Sequence, residues 1–177
     1  MLFVVHAIVV ISIAWFLAFG FGFTVVNYGQ SMEDTIAPDE TVTIDRITYH
    51  LQIPKRFDVI AYSADDATKL TDAELNEQII DIKRIIGLPG ETVQITEGHI
   101  FINGYKLQEN LKFGGVSLAG IAAEPIVLGE DEYFVLGDNR AASEDSRFEK
   151  VGNIKRGNII GKVWLRTKPV SEFGRIE

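Results

Sequence analysis

The sequence predicts a mainly β domain carried behind one N-terminal transmembrane helix. Three observations predict it. No Asp, Glu, Lys or Arg occurs from Met1 to Val26. Most of the remainder consists of short, β-rich or alternating runs bounded by turn dipeptides. A helix-start signal stands out in only one place after the apolar run. The chain has 177 residues, which suits one domain plus a short appendage. Hydrophobic residues make up 46% and charged residues 24%, a balance that excludes a disordered chain.

The apolar run MLFVVHAIVVISIAWFLAFGFGFTVV comes first. A bilayer core about 30 Å thick needs roughly 20 helical residues, so the run is long enough to span it. A cleavable secretory signal would have a basic start and a shorter apolar core. A buried core helix would show a polar face, whereas only His6 and Ser12 clearly interrupt this run. Residues 1–26 are therefore expected to be a retained single-span anchor, with residues 27–177 as the β-domain. Flanking charge does not give the orientation, because no Lys or Arg precedes the run.

Strands are predicted at Thr41–Asp45, Asp58–Tyr62 and Ile79–Ile86. The stretch ETVQITEGHIFINGYKL predicts two hairpins, at Glu97-Gly98 and Asn103-Gly104, since these turns need positive φ. Glu132–Leu136 and Asn158–Leu165 supply later strands. Thr71-x-x-Glu74 fits a capping box within residues 63–78, read as a surface insertion. The Gly- and Ala-rich residues 107–130 read as a second, looser surface insertion.

A net charge of -8 without a basic face argues against a nucleic-acid partner. Acidic clusters such as Asp65-Asp66 and Glu130-Asp131-Glu132 read as solvated loop charge. The absence of cysteine removes disulfides, thiolate catalysis and Cys-based metal sites.

Three segments carry candidate chemistry: Tyr28-Gly29-Gln30-Ser31-Met32, Asp81 to Glu91, and Gly137 to Arg147. Taken singly, Ser31 reads as a helix cap, Lys83 as a strand-end lysine and Gly-Asp-Asn-Arg as an ordinary turn. Lys83, however, lies among Ile79, Ile80, Ile82, Ile85 and Ile86, in a strand too apolar for an ordinary surface. An ammonium held in apolar surroundings loses hydration, so its pKa falls and the neutral amine can act as a base. A serine hydroxyl needs such a base to become a nucleophile. His6, His50 and His99 lie in no recognisable catalytic setting, and Gly29-Gln30-Ser31-Met32-Glu33 is not a Gly-x-Ser-x-Gly elbow. A Ser–Lys pair is the serine chemistry that this composition supports.

Behind an N-terminal span and in this order, the three segments resemble the boxes of the bacterial type I signal peptidases, in their short, Gram-positive-like form. Residues Gly137 to Arg147 fit Gly-Asp-Asn-Arg-x-x-Ser-x-Asp-Ser-Arg, and Lys83 to Gly90 fit Lys-Arg-x-x-Gly-x-Pro-Gly. Asp58-Val59-Ile60 resembles the weaker strand motif between them. The resemblance implies a signal-peptidase/LexA-like β-sheet catalytic domain on the extracytoplasmic side of the cell membrane. By the same resemblance, Ser31 is the nucleophile, Lys83 the general base and Ser143 the serine that orients the lysine. The oxyanion hole would use the Ser31 N–H, with Gly29 where other members carry a Ser or Thr hydroxyl. Met32, Ile36, Asp81 and Ile82 would contact substrate. Arg84, Asp138, Asn139, Arg140, Asp145 and Arg147 would brace the site, with an Asp145–Arg84 ion pair.

Where the family usually reads Ser-Met-x-Pro-Thr-Leu, this chain has Ser31-Met32-Glu33-Asp34-Thr35-Ile36. Asp34 cannot pre-set φ as proline does and is expected to cap the local backbone instead. The implied substrates are exported preproteins with small residues at the first and third positions before the cut. The implied surroundings are membrane lipid, a monomer, and no cofactor or metal. Two rival readings compete with this one. A non-catalytic assembly factor for surface pili would keep the fold and lose the dyad. An autocleaving repressor would need a DNA-binding segment, and none is visible here.

Overall fold

The computed structural model describes residues 2–21, 23–109, 113 and 115–176. Of the segments predicted above, Met1 and Gly22 of the apolar run, residues 110–112 and 114 of the second insertion, and Glu177 lie outside the described residues. Helix α1 (Leu2–Phe21) occupies the apolar run. Its side chains are described from Phe3 to Ala14, and among the described residues no helix is long and apolar enough to cross a membrane. The span therefore stays an expectation of the sequence.

The elements that follow are β1 (Phe23–Val26), β2 (Thr41–Asp45), α2 (Thr48–Leu51), β3 (Val59–Tyr62), α3 (Asp72–Glu77), β4 (Asp81–Gly87), β5 (Thr92–Thr96), β6 (His99–Ile102), β7 (Tyr105–Lys106), β8 (Ile126–Val127), β9 (Glu132–Leu136), β10 (Ile154–Lys155), β11 (Ile159–Lys168) and β12 (Gly174–Arg175). Among the described residues they form an eight-stranded sheet ordered β1-β2-β11-β3-β4-β9-β10, with β12 beside β11. A four-stranded sheet is ordered β7-β6-β5-β8. Every pairing is antiparallel.

Residues 23–26, counted with the apolar run in the sequence reading, belong to the sheet. Val25 and the other residues of β1 pair with β2 in register from Phe23↔Ile44 to Val26↔Thr41. Thr24, Val25 and Val26 are β-branched, a preference that the apolar composition had masked. Both predicted hairpin turns form, with positive φ at Glu97, Gly98, Asn103 and Gly104. The capping box is also present: Thr71 accepts from the Glu74 N–H, and the Glu74 side chain returns to the Thr71 backbone.

Neither insertion is simply a surface feature. Leu75 of residues 63–78 is buried in the cluster with Met32, Ile36, Ile44 and Val59. Val116, Ala122 and Leu128 of residues 107–130 are buried with Ile86, Phe134 and Leu136. Short apolar patches inside polar or small-residue stretches hid this packing from sequence periodicity.

Close approach of β11 to β2 requires a glycine at position 161. A Cβ there would stand 2.4 Å from the Asp45 carbonyl oxygen and 2.7 Å from Ile44 Cγ2. Gly161→Ala is expected to destabilise the fold by about 1–3 kcal/mol, since the obstacle is backbone. Chemical denaturation monitored by tryptophan fluorescence measures it, and an unchanged midpoint would show that the strands can part without cost.

Candidate active site

Ser31 sits in a tight turn closed by backbone hydrogen bonds from Glu33 N to Gln30 O (3.1 Å) and from Thr35 N to Met32 O (2.8 Å). Asn27, buried just before it, donates its side-chain amide to the carbonyls of Gly29 (3.1 Å), Ile36 (2.9 Å) and Ala37 (3.1 Å). The turn thus rests on Asn27 and on backbone bonds, and the exposed Asp34 carboxylate, expected to cap it, takes no part in them.

Lys83 lies on β4 with its side chain 3% exposed. Its Nζ stands 3.1 Å from Ser31 Oγ, so the two groups paired from the sequence are in hydrogen-bond contact. Burial pushes the Lys83 ammonium below the ordinary lysine range, while the carboxylates of Asp81, Asp145 and Glu144 oppose that fall. Asp81 is the nearest of these, with Oδ1 3.7 Å from Nζ. No hydrogen bond leaves the Ser31 N–H among the described residues, so that donor is available to a ligand. A Cβ at Gly29 would lie 3.9 Å from both Ser31 N and Ser31 Oγ, so this position faces the serine but brings no hydroxyl to it.

The bracing residues differ from the expectation. Arg84 does not pair with Asp145. Its Nε and Nη2 reach Asp138 Oδ1 (2.8 Å) and Oδ2 (2.7 Å), in a fork in which both side chains are fully buried. Arg84 also donates to the Phe57 carbonyl (2.8 Å), and its guanidinium lies 5.2 Å from the centre of the Phe113 ring. Asp145 pairs instead with Arg147 two residues on, at 2.8 and 2.9 Å, and accepts from the Gly137 N–H at 3.0 Å. The reason is local: a turn lets Arg147 fold back on Asp145, leaving Asp138 as the free acid facing β4.

Asn139 donates its N–H to the Ser31 carbonyl (3.0 Å), tying the two loops together. Arg140 pairs with Glu109 at 2.5 Å and lies 4.9 Å from the Phe113 ring centre. Ser143 is buried, but its hydroxyl has no hydrogen-bond partner, so the Ser143–Lys83 bond implied by the resemblance is not made. Met32 and Ile36 also differ from expectation. Both are fully buried in the core and line neither cleft beside Ser31. Sequence reasoning missed Asn27, Thr35 and Phe113. Thr35, whose Oγ1 donates to Asp138 Oδ2 at 2.6 Å, was within reach, because it stands inside the serine box.

Two clefts meet at Ser31. One, of 450 Å³, runs between residues 23–29 and residues 78–82 and includes Asp81 and Ile82. The other, of 890 Å³, extends past Asp81, Lys83 and Ser63 to Glu144 and Lys155. The first is bounded by two open strand edges. Among the described residues β1 pairs only with β2, and at Asp81–Lys83 β4 pairs only with β3, because β9 joins from Arg84 onward. Open backbone donors and acceptors on both walls can take an extended peptide.

Removing one member of the Arg84–Asp138 fork would leave a buried charge unpaired. Asp138→Ala is expected to cost about 3–5 kcal/mol. The double variant Arg84→Met/Asp138→Leu should cost less than that single change. Urea unfolding of wild type and the two variants tests this, and a double variant that loses more than Asp138→Ala alone would mean that the cost of the single change is not an unpaired buried charge.

The comparisons with known proteins agree with one another. The profile of the family described as signal peptidase, peptidase S26, matches residues 1–167. Signal peptidase I of Leptolyngbya laminosa is 40% identical over 147 residues, covering 83% of this chain and 69% of that protein. Signal peptidase IB of Staphylococcus aureus is 31% identical over 185 residues, covering 94% of this chain and 90% of that one. The probable signal peptidase I-2 of Synechocystis is 35% identical over 151 residues, and this chain spans 62% of its length. A solved structure of a signal peptidase I from Enterococcus faecalis aligns with a TM-score of 0.47 and 31% identity, over 63% of this chain and 97% of that one. On the family profile and the sequence relatives, the chain belongs to the signal peptidase family, peptidase S26, as a type I signal peptidase of the bacterial kind.

Proposed function

We propose that the chain is a membrane-anchored serine endopeptidase that removes N-terminal signal peptides from exported preproteins with a Ser31–Lys83 dyad. The observation that carries this reading is the 3.1 Å contact between Ser31 Oγ and a lysine amine shut away from water. Neutral Lys83 takes the Ser31 hydroxyl proton as Oγ adds to the scissile carbonyl carbon. The carbonyl oxygen, now anionic, is met by the free Ser31 N–H. The C–N bond then breaks, the amine leaves with the proton held on Lys83, and the peptide acyl group remains on Ser31. Lys83 next takes a proton from water as the water oxygen adds to the ester carbon; the C–Oγ bond then breaks, the proton passes from Lys83 to Ser31 Oγ, and the acid product leaves.

The preprotein is held as an extended strand between β1 and the open edge of β4, with small side chains before the cut. Asp81 and Ile82 stand beside that path. Ser143 is the proposed lysine-orienting residue: a buried hydroxyl without a partner can turn toward the amine as the reaction proceeds. Arg84, Asp138, Asn139, Arg140, Asp145 and Arg147 hold the loops in place and do not react. The anchor reading is supported by α1, where Phe3, Val4, Ile8, Val10 and Ile11 all stand exposed. A single span through the cell membrane, with residues 27–177 outside the cytoplasm, would hold the cleft where a signal peptide ends.

Ser31→Ala and Lys83→Ala should each lower turnover of a preprotein with an Ala-x-Ala site by roughly 10⁴-fold or more. Activity in either variant near that of wild type would sink the dyad. The pH profile is a separate test. Only the neutral amine is a base, so kcat/KM should rise with pH through a midpoint below about 10.4, the free-lysine value. In Asp81→Asn one of the carboxylates that oppose the fall is gone, and the midpoint should move lower still. A profile that is flat from neutral to alkaline pH, or a midpoint moved upward in Asp81→Asn, would contradict a lysine base tuned in this way.

A further inference from the structure

Four residues line both clefts at Ser31: Gly29, Ser31 itself, Ile79 and Asp81. Gly29 and Ser31 belong to the serine turn, whereas Ile79 and Asp81 stand on the wall across from it with their side chains uncovered. Ile79 is 84% exposed, and the Asp81 side chain is 55% exposed. Among the described residues Asp81 has one cationic partner, Lys83, in a loose contact of 3.7 Å. Glu144, the other acid lining the second cleft, is already paired with Lys150 at 3.2 Å. Once Lys83 is neutral, as its part as a base requires, Asp81 faces the clefts without a cation.

The pleat of β4 gives Asp81 a definite place along a bound peptide. Ile80 and Ile82 pack on the core cluster that holds Met32 and Ile36. Asp81 lies between them and points to the other face, the one that carries Lys83, in keeping with the contact between the two. A peptide added along this edge alternates in the same way, and neighbouring side chains on two paired strands share a face. Small side chains at the first and third positions before the cut lie on the face of Ile80 and Ile82, whose apolar surface suits them. The residue between those two then turns to the face of Ile79 and Asp81. A lysine or arginine there lays its methylene stem on Ile79 and brings its charge to Asp81.

We propose that Asp81, with Ile79 beside it, selects a basic side chain at the second position before the cut, so that preferred sites read Ala-Lys-Ala or Ala-Arg-Ala. The inference rests on the endopeptidase reading above and narrows the substrates within it. The substrate's cation gives Asp81 the positive charge that Lys83 loses when it acts as base. An acidic residue at the same position meets a like charge and is disfavoured. The first and third positions carry no such preference, because Ile80 and Ile82 offer them no charge.

The test compares peptides that differ only at the middle residue, Ala-Lys-Ala, Ala-Gln-Ala and Ala-Glu-Ala, cut by the full chain in detergent at low salt. The readout is the ratio of kcat/KM between two peptides on one enzyme, because a changed basicity of Lys83 acts on both peptides alike and cancels. Wild type should cut the Lys peptide about threefold faster than the Gln peptide, the size of an exposed ion pair across two strands, and the Glu peptide more slowly than either. High salt should shrink the preference. Asp81→Asn should bring the Lys-to-Gln ratio to one, and Asp81→Glu should keep it above one. Equal rates for the three peptides in wild type would overturn the assignment whatever the variants do, and so would a preference left unchanged in Asp81→Asn. A preference that is lost in Asp81→Asn but appears only with lysine at the first or third position would overturn the register. Cleavage of none of the peptides by wild type would remove the endopeptidase reading and this inference with it, whereas cleavage of all three at one rate removes the inference alone.

Discussion

The buried fork between Arg84 and Asp138 is the constraint on which the site depends. Neighbouring residues of a strand point to opposite faces. Holding Arg84 on one side of β4 therefore holds Lys83 on the other. The same guanidinium reaches the carbonyl of Phe57, which has φ 71, a conformation that a phenylalanine rarely adopts. Asp138 also accepts from Thr35, so the turn that carries Ser31 and the loop that carries Ser143 meet at one ion pair. Burying two charges costs desolvation that their attraction only partly offsets. What the pair supplies is position.

Position matters here because the amine and the hydroxyl must meet where water is scarce. A lysine in water stays protonated, and a serine alone does not give up its proton. On the proposed reading the site answers both problems by burying the Lys83 side chain and setting Ser31 Oγ 3.1 Å from its Nζ. Gly137 is part of that enclosure: a Cβ at this residue would lie 2.2 Å from Ser143 Oγ and 2.5 Å from the Ser31 carbonyl oxygen. The loops come that close only because a hydrogen stands where a methyl group otherwise would.

Much of this was legible in the sequence. Alternation marked β2, β5 and β6, β-rich composition marked β3, repeated isoleucines marked β4, and Glu-Gly and Asn-Gly marked the hairpins, because each signal is local and has a local cause. The pairing of Ser31 with Lys83 was legible through the apolar setting of the lysine and the resemblance of the surrounding boxes. Pairings between equivalent partners were not. Asp138 and Asp145 are both acids in one short loop, and nothing local says which of them faces β4 and which receives Arg147. The burial of Met32 and Ile36 was hidden for a similar reason: an apolar residue beside a nucleophile suits either a cleft wall or the core beneath it. Only the fold decides which.

The two open edges beside Ser31 have a further consequence. An unpaired strand edge invites any other strand, including one from a second copy of the same protein, and is an ordinary route to aggregation. Here the edges of β1 and β4 line the same cleft of 450 Å³. A single slender chain fits between them, whereas the flank of a folded sheet does not. On the proposed reading, the shape that would admit a substrate strand also leaves little room for a second sheet to pair with either edge.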